Sequence, residues 1–226
     1  LNGASVLLLG ATGGLGQALG EALAARGAAL TLVGRDQQSL DQLTVVGPRV
    51  ALDLRSPDAC ASAMRTAVEH QGKLDVVINA VGVVAFGEVA TLSTDVMEDL
   101  FMTNTFIPIM VATEAMNTLS TGGVIVNISG VIAEQNLPGM VAYGASKAAL
   151  RSFDEGLARE ARRKGVRVID ARPPHTETGL AGRAIAGTAP TMGEGLEPAV
   201  VARVICDGIE SGATDLGSGA FAVSGN

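Results

Sequence analysis

The chain has 226 residues, 47% hydrophobic and 17% charged, which is enough for one large α/β domain with a sizeable core. A net charge of -7 and an aromatic content of 3% exclude nucleic acid as the expected partner, because an acidic surface repels phosphates. No apolar run reaches the ~18 residues of a membrane span, and Leu1–Gly10 lacks the features of a signal peptide, so we expect a soluble, cytoplasmic protein.

Short apolar runs alternate with longer helical patterns, as is typical of βαβ units and of a parallel sheet buried on both faces. The runs predicted as strands are Val6–Leu9, Ala29–Val33, Arg49–Leu52, Val76–Asn79, Val124–Ile128, Val166–Ala171 and Gly219–Val223. The stretches predicted as helices are Gln17–Arg26, Gln37–Leu43, Pro57–His70, Thr94–Leu119, Ala142–Lys164 and Pro198–Glu210. Right-handed connections then place helices on both faces. The predicted fold class is α/β, a doubly wound seven-stranded parallel sheet in a three-layer αβα arrangement.

No repeat and no charged or proline-rich linker divides the chain, so residues 1–226 are predicted to form a single domain. The least regular stretch is 173–198, which is rich in glycine and has little periodicity. We expect this stretch to form a substrate loop or lid, and a plain surface connection is the alternative.

The cysteines and histidines do not indicate a metal centre. Cys60 and Cys206 are far apart in sequence, and His70 and His175 form no cluster with them. We therefore predict two reduced core cysteines and no metal site.

Three glycines, Gly10, Gly14 and Gly16, follow the first strand and open the first helix. A tight turn, the close approach of a pyrophosphate and the packing of helix on strand each require a residue without Cβ. The amides at the helix N-terminus then face the anion. The residues predicted to bind phosphate are Gly10, Thr12, Gly13, Gly14, Leu15 and Gly16.

Further motifs follow this glycine loop in order. Asn79-Ala80-Val81-Gly82 ends the fourth strand, Asn104 lies in Met-Thr-Asn-Thr, and Tyr143 and Lys147 form a Tyr-x-x-x-Lys pattern. Together with the Gly-x-x-x-Gly-x-Gly spacing of the loop, this series resembles the short-chain dehydrogenase/reductase family over nearly the whole chain. The resemblance implies a Rossmann-type fold, a bound NAD(P) and hydride transfer between a carbonyl compound and an alcohol.

In the resembled family, the end of the second strand lies at the adenosine ribose. An acidic side chain there bonds the 2′-hydroxyl, whereas Arg suits a 2′-phosphate because it is planar and always charged. The sequence has Gly34, Arg35 and then Asp36, so NADP(H) is favoured over NAD(H), with Asp36 as the argument against. A solvated Arg35 at the strand end is the alternative.

The resemblance implies further cofactor contacts. Asp53 and Leu54 match the adenine-binding pair, although Asp53 as a turn cap is the alternative. Thr178 matches the threonine that contacts the carboxamide. The remaining residues assigned to the cofactor are Asn79, Ala80, Gly82, Tyr143, Lys147, Pro173 and Thr176.

Tyr143 is the only tyrosine of the chain and the candidate acid–base group. A phenol with an ordinary pKa of ~10 needs a nearby cation to act as a base at neutral pH. Lys147 lies four residues later on the same helical face and supplies that charge. The resemblance adds a contact of Lys147 with the nicotinamide ribose and a water held by Asn104. A core tyrosine beside a surface lysine, and a local kink at Asn104 near Pro108, are the alternatives.

The substrate-orienting serine departs from the family pattern. The position thirteen residues before Tyr143 is Gly130, and Ser129 stands one place earlier. Adjacent residues on a strand point to opposite faces, so Ser129 replaces the missing hydroxyl only if the strand end bends or bulges.

The leading hypothesis is an NADP(H)-dependent oxidoreductase that interconverts a small ketone or aldehyde and its alcohol. Tyr143, Lys147, Asn104 and Ser129 are its catalytic candidates. The alternative, motivated by Gly130, is a degenerate member that binds dinucleotide with little turnover and acts as a sensor or interaction partner. The resemblance also implies a homodimer or homotetramer built on the two long helices.

Overall fold

The computed structural model describes residues 1–222, which form a parallel sheet with the strand order β3-β2-β1-β4-β5-β6-β7. The strands are β1 (Ser5–Leu9), β2 (Ala29–Gly34), β3 (Arg49–Ala51), β4 (Val76–Asn79), β5 (Val124–Ile128), β6 (Arg167–Ala171) and β7 (Asp215–Leu216). The α-helices are α1 (Gly14–Ala25), α2 (Gln37–Asp41), α3 (Pro57–Gln71), α4 (Thr94–Phe101), α5 (Ile107–Thr118), α6 (Val141–Ala161) and α7 (Pro198–Ser211). The predicted seven-stranded α/β fold is confirmed.

Side chains alternate between two cores, one on each face of the sheet. Leu8 and Ile78 pack on the face covered by α1 and α7, whereas Leu7 and Val77 pack on the face covered by α3, α5 and α6. Burial of both faces explains why the strands are continuous apolar runs. No helix within residues 1–222 combines the length and apolar character needed to cross a membrane.

The last strand corrects the sequence prediction. Strand β7 is Asp215–Leu216. The predicted strand Gly219–Val223 instead overlaps a 3₁₀ helix, Ser218–Phe221, and Val223 lies outside the described residues. Phe221 is only 1% exposed and belongs to the core on the α1 and α7 face. The apolar side chain of Phe221, which suggested a strand, therefore anchors a helical turn in the core.

The helix predicted over Thr94–Leu119 contains a wider turn. Helix α4 passes into a π-helical segment, Met102–Phe106, before α5 begins at Ile107. Such a segment inserts one extra residue into the helical turn and is frequent at functional sites. It carries Asn104, which is completely buried.

The irregular stretch 173–198 is bonded to the segment that follows β4. The amide of Ile185 donates to the carbonyl of Val84, and the amide of Phe86 donates to the carbonyl of Ala186, each at 2.9 Å. These two bonds, which we call the loop clamp, hold the stretch over the carboxyl end of the sheet.

We expect Phe221→Ala to lower the free energy of unfolding by about 3–5 kcal/mol, because the substitution leaves a cavity in the core. Urea unfolding followed by circular dichroism measures this change. Val46→Ala is the control, since Val46 is 89% exposed and its substitution should stay within about 0.5 kcal/mol. Equal effects of the two substitutions would contradict the docking of this C-terminal turn.

Candidate functional site

The glycine loop brings backbone segments into contact at three points. Gly10 has φ +78°, and a Cβ placed there would lie 2.8 Å from the carbonyl carbon of Ala80. A Cβ at Gly16 would lie 2.1 Å from the oxygen of Gly10, and one at Gly14 would lie 2.4 Å from the oxygen of Thr178. No side chain fits at these distances, so the glycines permit the close approach that the sequence predicted for them.

Helix α1 starts directly from this loop. Gly13 is its N-cap and makes no side-chain capping bond, and no acidic side chain occupies the first turn. The first amides of a helix have no carbonyl partner within it and carry partial positive charge. This cradle fits the pyrophosphate of a dinucleotide.

The two charged residues after β2 have different surroundings. The carboxylate of Asp36 caps α2 by accepting from the amide of Ser39 at 2.8 Å and from its hydroxyl at 2.6 Å. Hydrogen bonds from Ser39 lower the pKa of Asp36. The exposed Arg35 makes no ion pair with any residue within 1–222. Oδ1 of Asp36 therefore caps α2, and Arg35 faces solvent beside the glycine loop.

Asp53 and Leu54 follow β3, as the resemblance requires. Leu54 is buried, whereas Asp53 is exposed and accepts a hydrogen bond from the amide of Arg55 at 3.2 Å. The turn-cap alternative is thus realised in the structure. The adenine contact of Asp53 remains a prediction.

Two buried asparagines shape the segment after β4. The side-chain oxygen of Asn79 accepts from the amide of Val81 at 3.1 Å. Asn104 accepts from the amide of Val83 at 3.0 Å and donates to the carbonyl of Val83 at 2.9 Å and to the hydroxyl of Ser146 at 3.0 Å. The buried amide of Asn104 is therefore fully bonded, and it joins the π-helical turn to α6 and to this segment.

Lys147 reaches from α6 to the end of β5. Its Nζ donates to the carbonyl of Ile128 at 2.8 Å, and the side chain is buried. A Cβ at Gly82 would lie 3.4 Å from both Lys147 Nζ and Asn104 Oδ1, so these two polar groups meet beside Gly82. Burial lowers the pKa of Lys147 to about 8, against the raising effects of Asp170 and Asp154.

Tyr143 lies one helical turn before Lys147 on α6. Burial raises the pKa of Tyr143 to about 12. The phenol is therefore protonated at neutral pH and can donate a proton to an oxygen that gains negative charge.

The hydroxyl of Ser129 is already in use. Ser129 is 1% exposed, and its Oγ donates to Asp170 Oδ1 at 2.5 Å. Gly130 has φ +92°, and a Cβ there would meet only the oxygen of Pro173, at 3.8 Å. The site thus has space where the family's serine would stand, but the backbone holds a conformation that side chains rarely adopt. This geometry speaks against Ser129 as the substrate-orienting group.

An ionic cluster around the buried Arg172, beyond Ser129, was missed by the sequence analysis. Arg172 forms ion pairs with Glu134, Asp170 and Asp215, and the hydroxyl of Ser218 donates to Glu134 at 2.6 Å. The cluster joins β6 and β7 to the turn that follows β5. Its sequence signal was an Asp and an Arg two residues apart at the end of a buried strand, hence on one face.

His175 and Glu177 pair with each other, with Nε2 and Oε1 3.2 Å apart. Glu177 also accepts from the amide of Gly195 at 2.8 Å, and the amide of Leu196 donates to the carbonyl of His175. We call these bonds the loop base, because they join the two ends of the stretch 173–198. No group of three or more potential metal ligands occurs within residues 1–222.

A family model described as short chain dehydrogenase matches residues 4–188. Versicolorin reductase stcU of Emericella nidulans is 31% identical over 189 residues, which cover 80% of this chain and 72% of that protein. Gluconate 5-dehydrogenase of Gluconobacter oxydans is 29% identical over 195 residues, which cover 82% and 76%.

Solved structures with the same fold include a dehydrogenase/reductase from Sinorhizobium meliloti, with a TM-score of 0.84 at 25% identity over 97% of this chain and 96% of that one. A short chain dehydrogenase from Burkholderia cenocepacia, crystallised in complex with NADP, has a TM-score of 0.83 at 24% identity over 96% of both chains. At that identity the second likeness concerns the fold alone.

We expect Gly14→Ala to weaken the binding of NADPH by at least roughly tenfold. The added methyl collides with the backbone of Thr178 and displaces either the first turn of α1 or the stretch 173–198 from the cradle. Titration of the protein with NADPH, followed by nucleotide fluorescence, measures the change. Gly156→Ala on α6 is the control, because a Cβ there meets no atom within 4 Å. Unchanged affinity in Gly14→Ala would refute the assignment of this cradle.

Proposed function

Because the chain belongs to the short-chain dehydrogenase/reductase family, we propose that it is an NADP(H)-dependent oxidoreductase that interconverts a small ketone or aldehyde and its alcohol. When bound, the nicotinamide supplies or accepts the hydride. The observation that carries the proposal is the pair formed by the partly buried Tyr143 and the buried Lys147 on α6, beside the segment that Asn104 holds.

Tyr143 is the acid in the direction of reduction. Its pKa of about 12 keeps the phenol protonated at neutral pH, so it has a proton to give to the alkoxide that forms. In the direction of oxidation it must lose that proton, and the positive charge of Lys147 stabilises the phenolate that results. Asn104 supports both steps by fixing the segment around Val83 against which Lys147 packs.

The preference for NADP(H) rests on the different surroundings of Arg35 and Asp36, the two charged residues that follow β2. Oδ1 of Asp36 accepts two hydrogen bonds from Ser39 at the start of α2, which orients this carboxylate toward the helix. The guanidinium of Arg35 is exposed beside the glycine loop and suits a 2′-phosphate by charge and by its planar set of donors.

The substrate oxygen lacks the usual serine hydroxyl in this site. Gly130 has no side chain, and the hydroxyl of Ser129 donates its hydrogen bond to Asp170. Loss of one such donor costs about 10² to 10³ in rate in other enzymes, so we expect slow turnover of simple substrates. The alternative function, a protein that binds dinucleotide with little turnover, rests on Gly130. Relatives named as a reductase and a dehydrogenase favour catalysis instead.

Self-association is part of the proposal. A groove of about 490 Å³ runs along α4 and the π-helical turn. It is lined by Met97, Phe101, Met102 and Phe106 together with the charged residues Arg55, Glu98 and Asp99. Phe106 is 54% exposed, which is unusual for a phenylalanine. A second copy of this chain is the occupant that we propose.

Tyr143→Phe should lower kcat by roughly 10²- to 10⁴-fold while NADPH still binds, because only the proton donor is removed. The rate of NADPH oxidation with a panel of small ketones and aldehydes, followed at the nicotinamide absorbance, measures the effect. Nucleotide fluorescence titration of the variant is the control for an intact site. Full turnover by the variant would exclude the proposed acid.

Arg35→Ala should reduce the ratio of kcat/KM for NADPH over that for NADH by at least about tenfold, because a charge-assisted contact with the 2′-phosphate is lost. Steady-state kinetics with both nucleotides and one carbonyl substrate provide the ratio. Arg159→Ala, which removes an exposed arginine from α6, is the charge-matched control. An unchanged ratio in Arg35→Ala would remove the basis for the NADP(H) preference.

A further inference from the structure

A row of polar side chains crosses the sheet beneath Lys147. Asn79 on β4, Asn127 on β5 and Asp170 on β6 are partners in register, so their side chains share one face. That face is the one covered by α6, and Asn79 Nδ2 donates to Asn127 Oδ1 at 3.4 Å. The neighbouring positions of these strands are apolar, so the row is a local departure from the core pattern.

Asp154 completes this row from the helix side. It lies seven residues after Lys147 on α6, which places both on one face, and it is 2% exposed. Asn127 Nδ2 donates to Asp154 Oδ1 at 2.6 Å, while Lys147 donates to the carbonyl of the next residue, Ile128. The two side chains therefore fasten α6 to two successive residues of β5.

The two buried carboxylates near Lys147 differ in their counter-charges. Asp170 on β6 forms an ion pair with Arg172 and accepts the hydroxyl of Ser129. Asp154 forms no ion pair within residues 1–222, and its Oδ2 has no hydrogen-bond partner there. Asp170 raises the pKa of Asp154, and Lys147 lowers it.

We propose that Asp154 is a positioning residue for the acid–base pair: it anchors α6 through Asn127 and, once ionised at alkaline pH, supplies a negative charge that favours the protonated form of Lys147. The inference rests on the proposed roles of Tyr143 and Lys147. Asp170 also raises the pKa of Lys147, but its carboxylate is at the same time paired with Arg172.

The titration of the two groups is coupled. Burial raises the pKa of Asp154 to about 8 and lowers that of Lys147 to about 8. As pH rises through about 8, Asp154 loses its proton and becomes negative. Lys147 would lose its own proton at the same pH if that negative charge were absent. The charge on Asp154 therefore extends the protonated state of Lys147, and with it the stabilised phenolate of Tyr143, toward alkaline pH.

Asp154→Asn removes the charge but keeps an oxygen that accepts from Asn127. Glu155→Gln is the matched control, because it removes the same charge from the next, exposed position of α6. Lys147 can be observed directly, since the chain has only three lysines, Lys73, Lys147 and Lys164. Carbon-13 labelling of lysine Cε and NMR titration report its protonation without any substrate or cofactor.

In Asp154→Asn we expect the pKa of Lys147 to fall by roughly one unit, as for loss of a nearby opposite charge, and to stay unchanged in Glu155→Gln. The alkaline limb of the pH profile of kcat/KM should move to lower pH by the same amount. Equal Lys147 titrations in wild type and Asp154→Asn overturn the proposal. If the pKa of Lys147 shifts in Asp154→Asn but the alkaline limb of the kcat/KM profile of the active variant does not move, the positioning role is overturned.

Stability provides a second readout that needs no turnover. The folded-state pKa of Asp154, about 8, lies above its ordinary 3.8, so the folded protein binds this proton more tightly than the unfolded chain. Stability is therefore lost as pH rises between these values, and Asp154→Asn should flatten that slope. If the slope of stability against pH is the same in wild type and in Asp154→Asn, Asp154 is not protonated in the folded protein.

Absence of wild-type turnover with every carbonyl compound tested would instead refute the proposed function.

Discussion

The hydrogen bond from Lys147 to the carbonyl of Ile128 is the interaction around which the site is built. It sets the position of α6 against the end of β5, and Tyr143 is carried one turn away on the same helix. Asn104 then ties α6, through Ser146, to the segment after β4. A buried ammonium and a buried amide are stable only when their polar atoms are bonded, so the need to satisfy them fixes three elements relative to one another.

Charge is distributed unevenly beneath this site. Arg172 gathers three carboxylates on the side of β7, and one of them, Asp170, extends into the polar row under Lys147. Asp154 lies in the same row and forms no ion pair within residues 1–222. Both Asp170, which is paired with Arg172, and Asp154, which is not, raise the pKa of Lys147. In a dehydrogenase or reductase, whose acid–base group must both give and take a proton, such a lysine is sensitive to every nearby charge.

Local patterns predicted the parts of the fold that local forces decide. Continuous apolar runs identified β1, β4 and β5, and the spacing of the glycines identified the cradle before α1. The seventh strand was misplaced because a short apolar sequence around a buried residue such as Phe221 looks the same whether it forms a helical turn or a β-strand. The direction of the Ser129 hydroxyl could not be predicted either, since it depends on Asp170, which lies 41 residues away in sequence and beside it only after the sheet has formed. Asp154 was missed for the same reason, because its partner Asn127 is on another element.

The loop clamp and the loop base divide the stretch 173–198 into parts with different freedom to vary. Ile185 and Ala186 are bonded to the segment after β4, and Leu196 is bonded to His175 and Glu177 at the base. Residues 188–194 lie between these two anchors and make none of their backbone hydrogen bonds. Because none of these seven positions makes an anchoring bond, they form the part of the stretch whose length and sequence can vary with the least effect on the loop clamp and the loop base.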